Sequence, residues 1–483
     1  MILNVPDSNS TRRRFLKTAA AATAGTFLSA MRSFPSNIAR AQDPPACPTA
    51  PSGGKPFAAG SDTRPIVLRK PISAFAPSEL SELQTAFANL RALPPGDNRR
   101  WLLEADVHAL FCDQCSGVNM QIHGSWNFFP WHRAYLYYYE RILGSLVGDL
   151  DNFRLPYWDW ENSRSMPSPY RNPGNTGNPL WDSRRDSGIA GGGNLPASDG
   201  TTSRIHTLYG ITDFASFGGT AAFAGACEND PHNIIHSDVG PAASPFEDMG
   251  NLGYAARDPI FFAHHCNIDK LWSGWNGQPG GTGTDFKNPT DSGFLTARWS
   301  FYDENQKVVS ISAADVLDHR NNLRYVYTLP RIPIPIYYEI YICELICCLP
   351  GPDPLSFLKV SQEVRETLLT QFRESTPMVL VLHGVEIPEG VTGVFDVAAV
   401  RGDRRLQIGS LSVLADTIAD KRHKPITLVL DITRAAEDLL APEKPAGIRL
   451  FARHEKENKS KPFTLRAQSA QIRTERRGAK PQA

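Results

Sequence analysis

Six of the twelve histidines fall into two groups whose spacing suits metal coordination. His108, His123 and His132 stand among aromatic residues, the last two framing Gly124-Ser125-Trp126-Asn127-Phe128-Phe129-Pro130-Trp131. In Asp230-Pro231-His232-Asn233-Ile234-Ile235-His236, Pro231 suits the first turn of a helix and Asp230 its N-cap, which puts His232 and His236 on one helical face. The stretch Asp258-Pro259-Ile260-Phe261-Phe262-Ala263-His264-His265-Cys266-Asn267-Ile268-Asp269 repeats the device, a cap and a proline before an apolar helix that carries histidine. Neutral imidazole is the commonest side-chain metal ligand. A solitary histidine on an aromatic helix is more often a core residue, and that reading fits His206, His319, His383, His423 and His454, which lack neighbours at ligand spacing.

The donor type selects the metal. Di-iron bundles supply Glu-x-x-His pairs, and structural zinc favours tetrahedral sites that include thiolates. Two trios of neutral nitrogen, His108/His123/His132 and His232/His236/His265, suit a pair of copper ions, because copper heads the affinity order for such donors and cycles between two oxidation states. For the trios to meet, the helices that carry them must face one another in a bundle.

Those helices are legible. Apolar Leu80, Leu83, Phe87, Leu90 and Leu93 recur at helical spacing after Ser78. Further helices are expected over residues 101–112 and 130–147, the latter stopped at Gly148. Residues 155–160 read as a rigid aromatic turn, and residues 167–200, dense in Pro, Gly, Asn and Ser, as a long surface loop. From residue 360 the pattern alternates, with strands predicted over residues 378–382, 394–400, 406–411, 426–432 and 447–452. The fold class is therefore mainly α: a four-helix-bundle dicopper core with long loops (residues 64–328), a linker rich in Pro and Cys (329–359), a C-terminal β-sandwich (360–472) and a basic tail (473–483).

At 483 residues, with 41% hydrophobic residues, nine tryptophans and a formal charge of zero, the chain can bury a large core and presents no global field toward nucleic acid or an anionic membrane. Small-molecule partners fit better. Residues 11–17, Thr-Arg-Arg-Arg-Phe-Leu-Lys, precede an Ala-rich run and Ala39-Arg40-Ala41, which resembles a twin-arginine signal cleaved after residue 41; residues 42–63 follow as an extended arm. This resemblance implies a partner in the twin-arginine (Tat) export machinery and a periplasmic or secreted location. No membrane span is expected in the mature chain. The eight cysteines are too few for a disulfide scaffold. Cys343, Cys347 and Cys348 leave three readings open: soft Cu(I) ligands, disulfides formed after export, or buried small residues.

His108 to Cys112, Ile122 to Arg133, Pro231 to His236 and Asp258 to Asp269 resemble the coupled dicopper motifs of tyrosinases and catechol oxidases, most closely the plant-type polyphenol oxidases. Phe301-Tyr302-Asp303-Glu304-Asn305, Tyr325-Val326-Tyr327 and Val394-Phe395-Asp396-Val397 extend the likeness. It implies two copper ions, the first held by His108, His123 and His132 and the second by His232, His236 and His265. His265 is chosen over His264 because the motif sets its ligand four residues after Phe261 and four before Asp269. It implies a thioether from Cys112 to His123, a water held by Glu228 and Asn233 for deprotonating monophenols, and Leu252 where a bulky Phe often covers the second copper. Ala109 replaces a disulfide cysteine of the plant enzymes, leaving Cys47 with Cys115 as the expected pair, and Lys270 stands in place of Arg. The implied activity is oxidation of o-diphenols to o-quinones with O2, together with monophenol hydroxylation. The alternatives are catechol oxidase activity alone and hemocyanin-like O2 binding, and the C-terminal region is implied to act as a lid.

Overall fold

The computed structural model describes residues 47–112, 121–171, 177–241, 247–277, 287–328, 336–347, 355–414, 423–453 and 463–475. The stretch expected to be an export signal, Cys115, Cys348 and His454 lie outside them. Strand β1 (Val67–Arg69) leads to helix α1 (Pro77–Arg91), whose Leu83, Ala86, Phe87 and Leu90 form a buried stripe at i, i+3, i+4 and i+7. Helix α2 (Trp101–Phe111) is buried all round apart from Leu102, as its apolar sequence requires. Helix α3 (Phe128–Val147) begins two residues before the expected start and stops at Gly148, whose φ of 76° only glycine adopts at no cost.

The segment around Pro231 departs from expectation. Glu228–Asn233 forms a widened π-type turn with extended backbone at Asp230 (φ −146°, ψ 111°), and regular helix α4 (Ile234–Val239) starts only after it. Asp230 is not a helix cap there; its carboxylate pairs with Arg204. Helix α5 (Ile260–Asn276) begins as predicted, with Asp258 Oδ1 accepting the Ile260 amide at 2.9 Å. Residues 167–200 are less superficial than their composition implies, since Tyr170, Leu180, Ile189 and Leu195 are buried.

Strand β2 (Tyr325–Tyr327) pairs in parallel with β1, Val67 facing Tyr325 and Arg69 facing Tyr327. That pairing seats Arg69 behind the bundle, where it meets Glu140 at 2.9 Å and Asp269 at 3.3 Å. Asp269 also accepts from Arg133 (2.6 Å), Tyr325 (2.6 Å) and Tyr327 (2.8 Å). Two guanidinium groups beside it hold its carboxyl below the usual range despite burial. The network ties α3 to α5 and to the strands that open and close the helical region. No helix among the described residues is long and apolar enough to cross a membrane.

The C-terminal region forms one continuous antiparallel series rather than two facing sheets. Strands β3 (Tyr337–Cys347), β4 (Ser356–Lys359), β5 (Met378–Val385), β6 (Gly393–Arg401), β7 (Arg404–Val413), β8 (Ile426–Asp431), β9 (Gly447–Ala452) and β10 (Ser469–Glu475) lie in the order β7-β6-β9-β4-β3-β10-β5-β8. A Cβ on Gly409 of β7 would lie 2.4 Å from Leu430 of β8, so the two ends of the series touch and the sheet curls into a barrel-like layer. Helix α6 (Gln362–Arg373) lays buried Leu368 against the same core as Leu380, Val397, Leu411, Leu428 and Ile472. All five predicted strands are present. Residues 337–347, expected as linker, instead supply the longest strand of the sheet, and Cys343 on it is buried outside any disulfide. Cys47 is disulfide-bonded.

Candidate metal centre

The six predicted donors all lie in the interior at one end of the bundle, each at most 6% exposed. His108 comes from α2, His132 from α3, His232 from the widened turn, His236 from α4 and His265 from α5. His123 sits on no helix; it occupies the turn that leads into α3. Ring centres within the first trio are 5.0–5.6 Å apart, and those within the second 4.5–5.4 Å. The trios meet where His132 stacks on His265 at 4.3 Å with planes 16° apart.

Ring orientation follows from backbone carbonyls and one side-chain amide oxygen. His132 Nδ1 donates to Phe128 O (2.7 Å), His236 Nδ1 to Met249 O (3.0 Å) and His232 Nδ1 to Asn233 Oδ1 (2.9 Å), while the Leu252 carbonyl bonds the His108 ring. A neutral imidazole that donates through one nitrogen has a lone pair on the other. On the second trio those opposite nitrogens face one another, His265 Nε2 lying 3.3 Å from His232 Nε2 and 3.2 Å from His236 Nε2. One N–H, on His265, is the most that can be shared among these three nitrogens, because the Nδ1 atoms of His232 and His236 already donate elsewhere. An ion bound by imidazole at about 2.0–2.1 Å in tetrahedral geometry sets its donor atoms about 3.3 Å apart, so these spacings fit one metal ion. His132 Nε2 is likewise buried and without a hydrogen-bond partner.

Burial and the neighbouring imidazoles hold five of the rings neutral. The His132 pKa falls to about 3 and that of His236 to about 4, each chiefly through desolvation, and His108, His232 and His265 lie well below the ordinary value for the same reason. Such rings are ready to ligate without first losing a proton. The donor set therefore fits a pair of copper ions: all nitrogen, buried, in two trios that share a wall.

Around the donors, Phe261 wedges between the trios, 4.9 Å from the His108 ring and 4.0 Å from that of His265. Phe128 does the same from α3, 4.7 Å from His132 and 4.6 Å from His232, a role the sequence motif contained but did not reveal. Asp269 is no donor to the cavity; it anchors α5 one turn beyond His265 through the buried ion network. Asn233 reaches the centre through its side-chain oxygen, which orients the His232 ring. The contact shown for half-buried Leu252 runs through its backbone. Cys112 Sγ lies 3.4 Å from His108 Nε2, and the donor atoms of His108, Cys112 and His123 lie within 4.8 Å of one another.

Glu228 stitches the two trios together. Four residues before His232, it accepts the Gly124 amide through Oε1 at 2.7 Å, beside His123. Its Oε2 is buried and unpartnered, and desolvation lifts the carboxyl pKa to about 8 against the pull of that amide and of Lys424. The C-terminal sheet reaches the same place. The Asn229 side chain pairs with the β7 backbone, donating to Ser410 O (3.2 Å) and accepting from the Ser412 amide (3.1 Å), and a Cβ on Gly124 would lie 2.7 Å from the Lys424 Cβ. His206, His319 and His383 stand in neither imidazole group.

A buried, all-histidine centre for two metal ions inside a helical bundle is the class that fold and site define. The common central domain of tyrosinase matches residues 98–193 and 178–278, and the polyphenol oxidase middle domain matches residues 288–335. The latent form of chloroplastic polyphenol oxidase from Prunus armeniaca is 36% identical over 289 residues, which is 53% of this chain and 47% of that protein. The solved polyphenol oxidase of Vitis vinifera (Grenache) is 32% identical with a TM-score of 0.52, covering 60% of this chain and 93% of that one. Latent apple tyrosinase shares the fold over 87% of this chain and 96% of its own, at a TM-score of 0.61 and 24% identity. The chain spans about half the length of the curated relatives it matches. It belongs to the tyrosinase/polyphenol oxidase family, whose enzymes are dicopper oxidoreductases.

Proposed function

We propose that the chain is a copper-dependent polyphenol oxidase that uses O2 to convert o-diphenols to o-quinones and also hydroxylates monophenols. The observation that carries this reading is the convergence of six buried imidazoles in two adjoining trios, with the Nε2 atoms of the second trio drawn together at 3.2–3.3 Å. When bound, the copper pair supplies dioxygen binding and two-electron exchange with the phenol. His108, His123 and His132 would hold one ion, and His232, His236 and His265 the other.

The chain's own residues handle position and protons. Phe261 and Phe128 keep the cavity wall apolar and fix the rings that flank it. Glu228 Oε2 is the proton acceptor for a monophenol hydroxyl: it is buried and unpartnered, and because desolvation raises its carboxyl to about 8, its capacity to accept grows as pH rises through that value. A diphenol is the easier substrate and depends less on that base. Glu228→Gln is expected to lower monophenol hydroxylation by about 10²-fold or more while diphenol oxidation changes far less. Oxygen uptake with a monophenol and no diphenol primer measures it, and no uptake by the unaltered chain leaves a catechol oxidase. Failure to turn over catechol at all would favour a hemocyanin-like O2 binder.

The docking of β7 on Asn229 and of Lys424 over Gly124 supports a lid role for the C-terminal region. Removal of that region by limited proteolysis is then expected to raise diphenol oxidation, and full activity of the intact chain without protease or detergent would count against the lid. The arginine-rich N-terminal stretch supports export by the twin-arginine route, and the position of Cys112 beside the first trio keeps a thioether to His123 within the proposal. Both are checked on the mature protein by mass spectrometry, export by a new N-terminus at residue 42 and the thioether by loss of two hydrogens.

A further inference from the structure

The outer face of the C-terminal sheet is covered along part of its width and bare along the rest. Directly paired residues on neighbouring strands share a face, and two such rows run from β8 through β5 and β10 to β3. One is Val429, Val381, Gln471 and Ile342; the other is Asp431, Val379, Arg473 and Ile340. On β5, Val379 and Val381 point away from the sheet's own core, where Leu380 and Leu382 lie, yet both are fully buried. The helical region packs on that side, with Arg473 paired to Asp213 and the His383 ring 6.2 Å from Phe223. At β3 the cover ends, for Ile340 is 51% and Ile342 69% exposed.

The bare strip continues onto β4. Ile346, 41% exposed, stands opposite half-buried Phe357, and Glu344 stands opposite Lys359, with which it forms an exposed ion pair at 3.2 Å. Among the described residues five large apolar side chains are exposed, and three of them are these isoleucines on one strand face. Single exposed apolar residues are ordinary, whereas a contiguous stripe marks a contact surface. Its charges select the occupant. An anionic membrane calls for a basic cluster, and the strip carries one charge of each sign. A copy of the same face answers both. A two-fold axis running between β3 and β4, parallel to the strands, sets Glu344 against the partner's Lys359 and Ile346 against the partner's Phe357. With a formal charge of zero, two chains also approach without long-range repulsion.

We propose that the chain forms a two-fold homodimer through the outer face of β3 and β4. The contact extends the layer that the helical region begins on β5 and β10, so that the whole outer face of these four strands is covered in the pair. It uses neither the histidine trios nor Glu228, and it stands whether or not the chain oxidises phenols.

Analytical ultracentrifugation of the full chain over a concentration series is the test, and a monomer–dimer equilibrium is expected. Ile342→Asp places an unpaired carboxylate in the contact and should raise the dissociation constant about tenfold or more, while circular dichroism stays unchanged because the side chain lies outside the core. Glu344→Lys, which then faces the partner's Lys359, should weaken the dimer by a similar factor, and adding Lys359→Glu should restore it. A monomer at every concentration overturns the proposal, and its flotation with phosphatidylglycerol vesicles would assign the stripe to a lipid surface instead. A dimer that all these variants leave unchanged is built on another face and overturns it equally. Should Ile342→Asp fail to fold, the charge reversal and its rescue decide.

Discussion

The two histidine trios reach one cavity by different routes. The second is local: His232 and His236 lie four residues apart, His264 and His265 are adjacent, and only two segments must meet to bring four imidazoles together. The first is assembled from two helices and a turn, with Cys112 at its edge and His123 outside regular structure. Their outer partners differ as well. The His108 ring is set by a carbonyl from residue 252, far along the chain, whereas His232 is set by its own neighbour Asn233. A site built from neighbours in sequence holds its shape through one or two turns of backbone, while a site built from distant elements depends on the packing that unites them.

The largest expected effect comes from breaking the joint. His132 belongs to the first trio yet stacks on His265 of the second. His132→Gln is expected to halve the copper content and to lower diphenol oxidation by more than the roughly 10–100-fold that loss of an outer partner costs. Metal analysis and oxygen uptake together check it; retention of both ions would show that the first trio tolerates a missing ring.

Next is the shared foundation. Asp269 sits one turn past His265 and pairs with Arg133, the residue after His132. Asp269→Asn leaves two buried guanidinium groups short of a counter-charge, which costs about 3–5 kcal/mol, and both sites should loosen together. Denaturant unfolding reads the stability. Copper titration reads the coupling, and weakening of only one site would separate the trios.

Acid should act on the metal-free chain in proportion to its depressed imidazoles. A folded-state pKa below that of the unfolded chain means that protons bind the unfolded chain first. This stability is therefore complete above the ordinary value of 6.5 and is lost as pH falls toward about 4 for His236 and about 3 for His132. Each such group contributes at most about 1.4 kcal/mol per pH unit through that window. Thermal unfolding between pH 7 and 4 measures the slope, which bound metal should flatten by competing with protons for the same nitrogens.

The smallest effect sharpens the contrast between local and assembled sites. Asn233→Ala removes the side-chain acceptor of the His232 ring and is expected to weaken copper at the second site by about 10–100-fold while the first is unchanged. Equal weakening at both sites would deny the local character of the second.

The helices were legible where pattern and punctuation agreed. The stripe of α1, Gly148 at the end of α3 and Asp258-Pro259 at the start of α5 are local signals, and each lies where the sequence places it. Pro231 misled, because the same residues that start a helix also fit a widened turn, and the pairing of Asp230 with Arg204 belongs to the turn. The curl of the C-terminal sheet and the recruitment of residues 337–347 into it had no signal in the alternation of β5 to β9, since a strand pattern is silent about its neighbours.

By itself, the sequence determined the chemistry of the donors: six imidazoles, carried by segments that bury their aromatic faces. Tertiary structure alone decided how the rings of His132, His236 and His108 are turned, through carbonyls at Phe128, Met249 and Leu252, and it alone brought Glu228 against Gly124. The reason is physical. Side-chain type and periodicity are properties of short stretches, but every residue carries the same carbonyl, and which one meets a given ring is fixed only when distant elements pack.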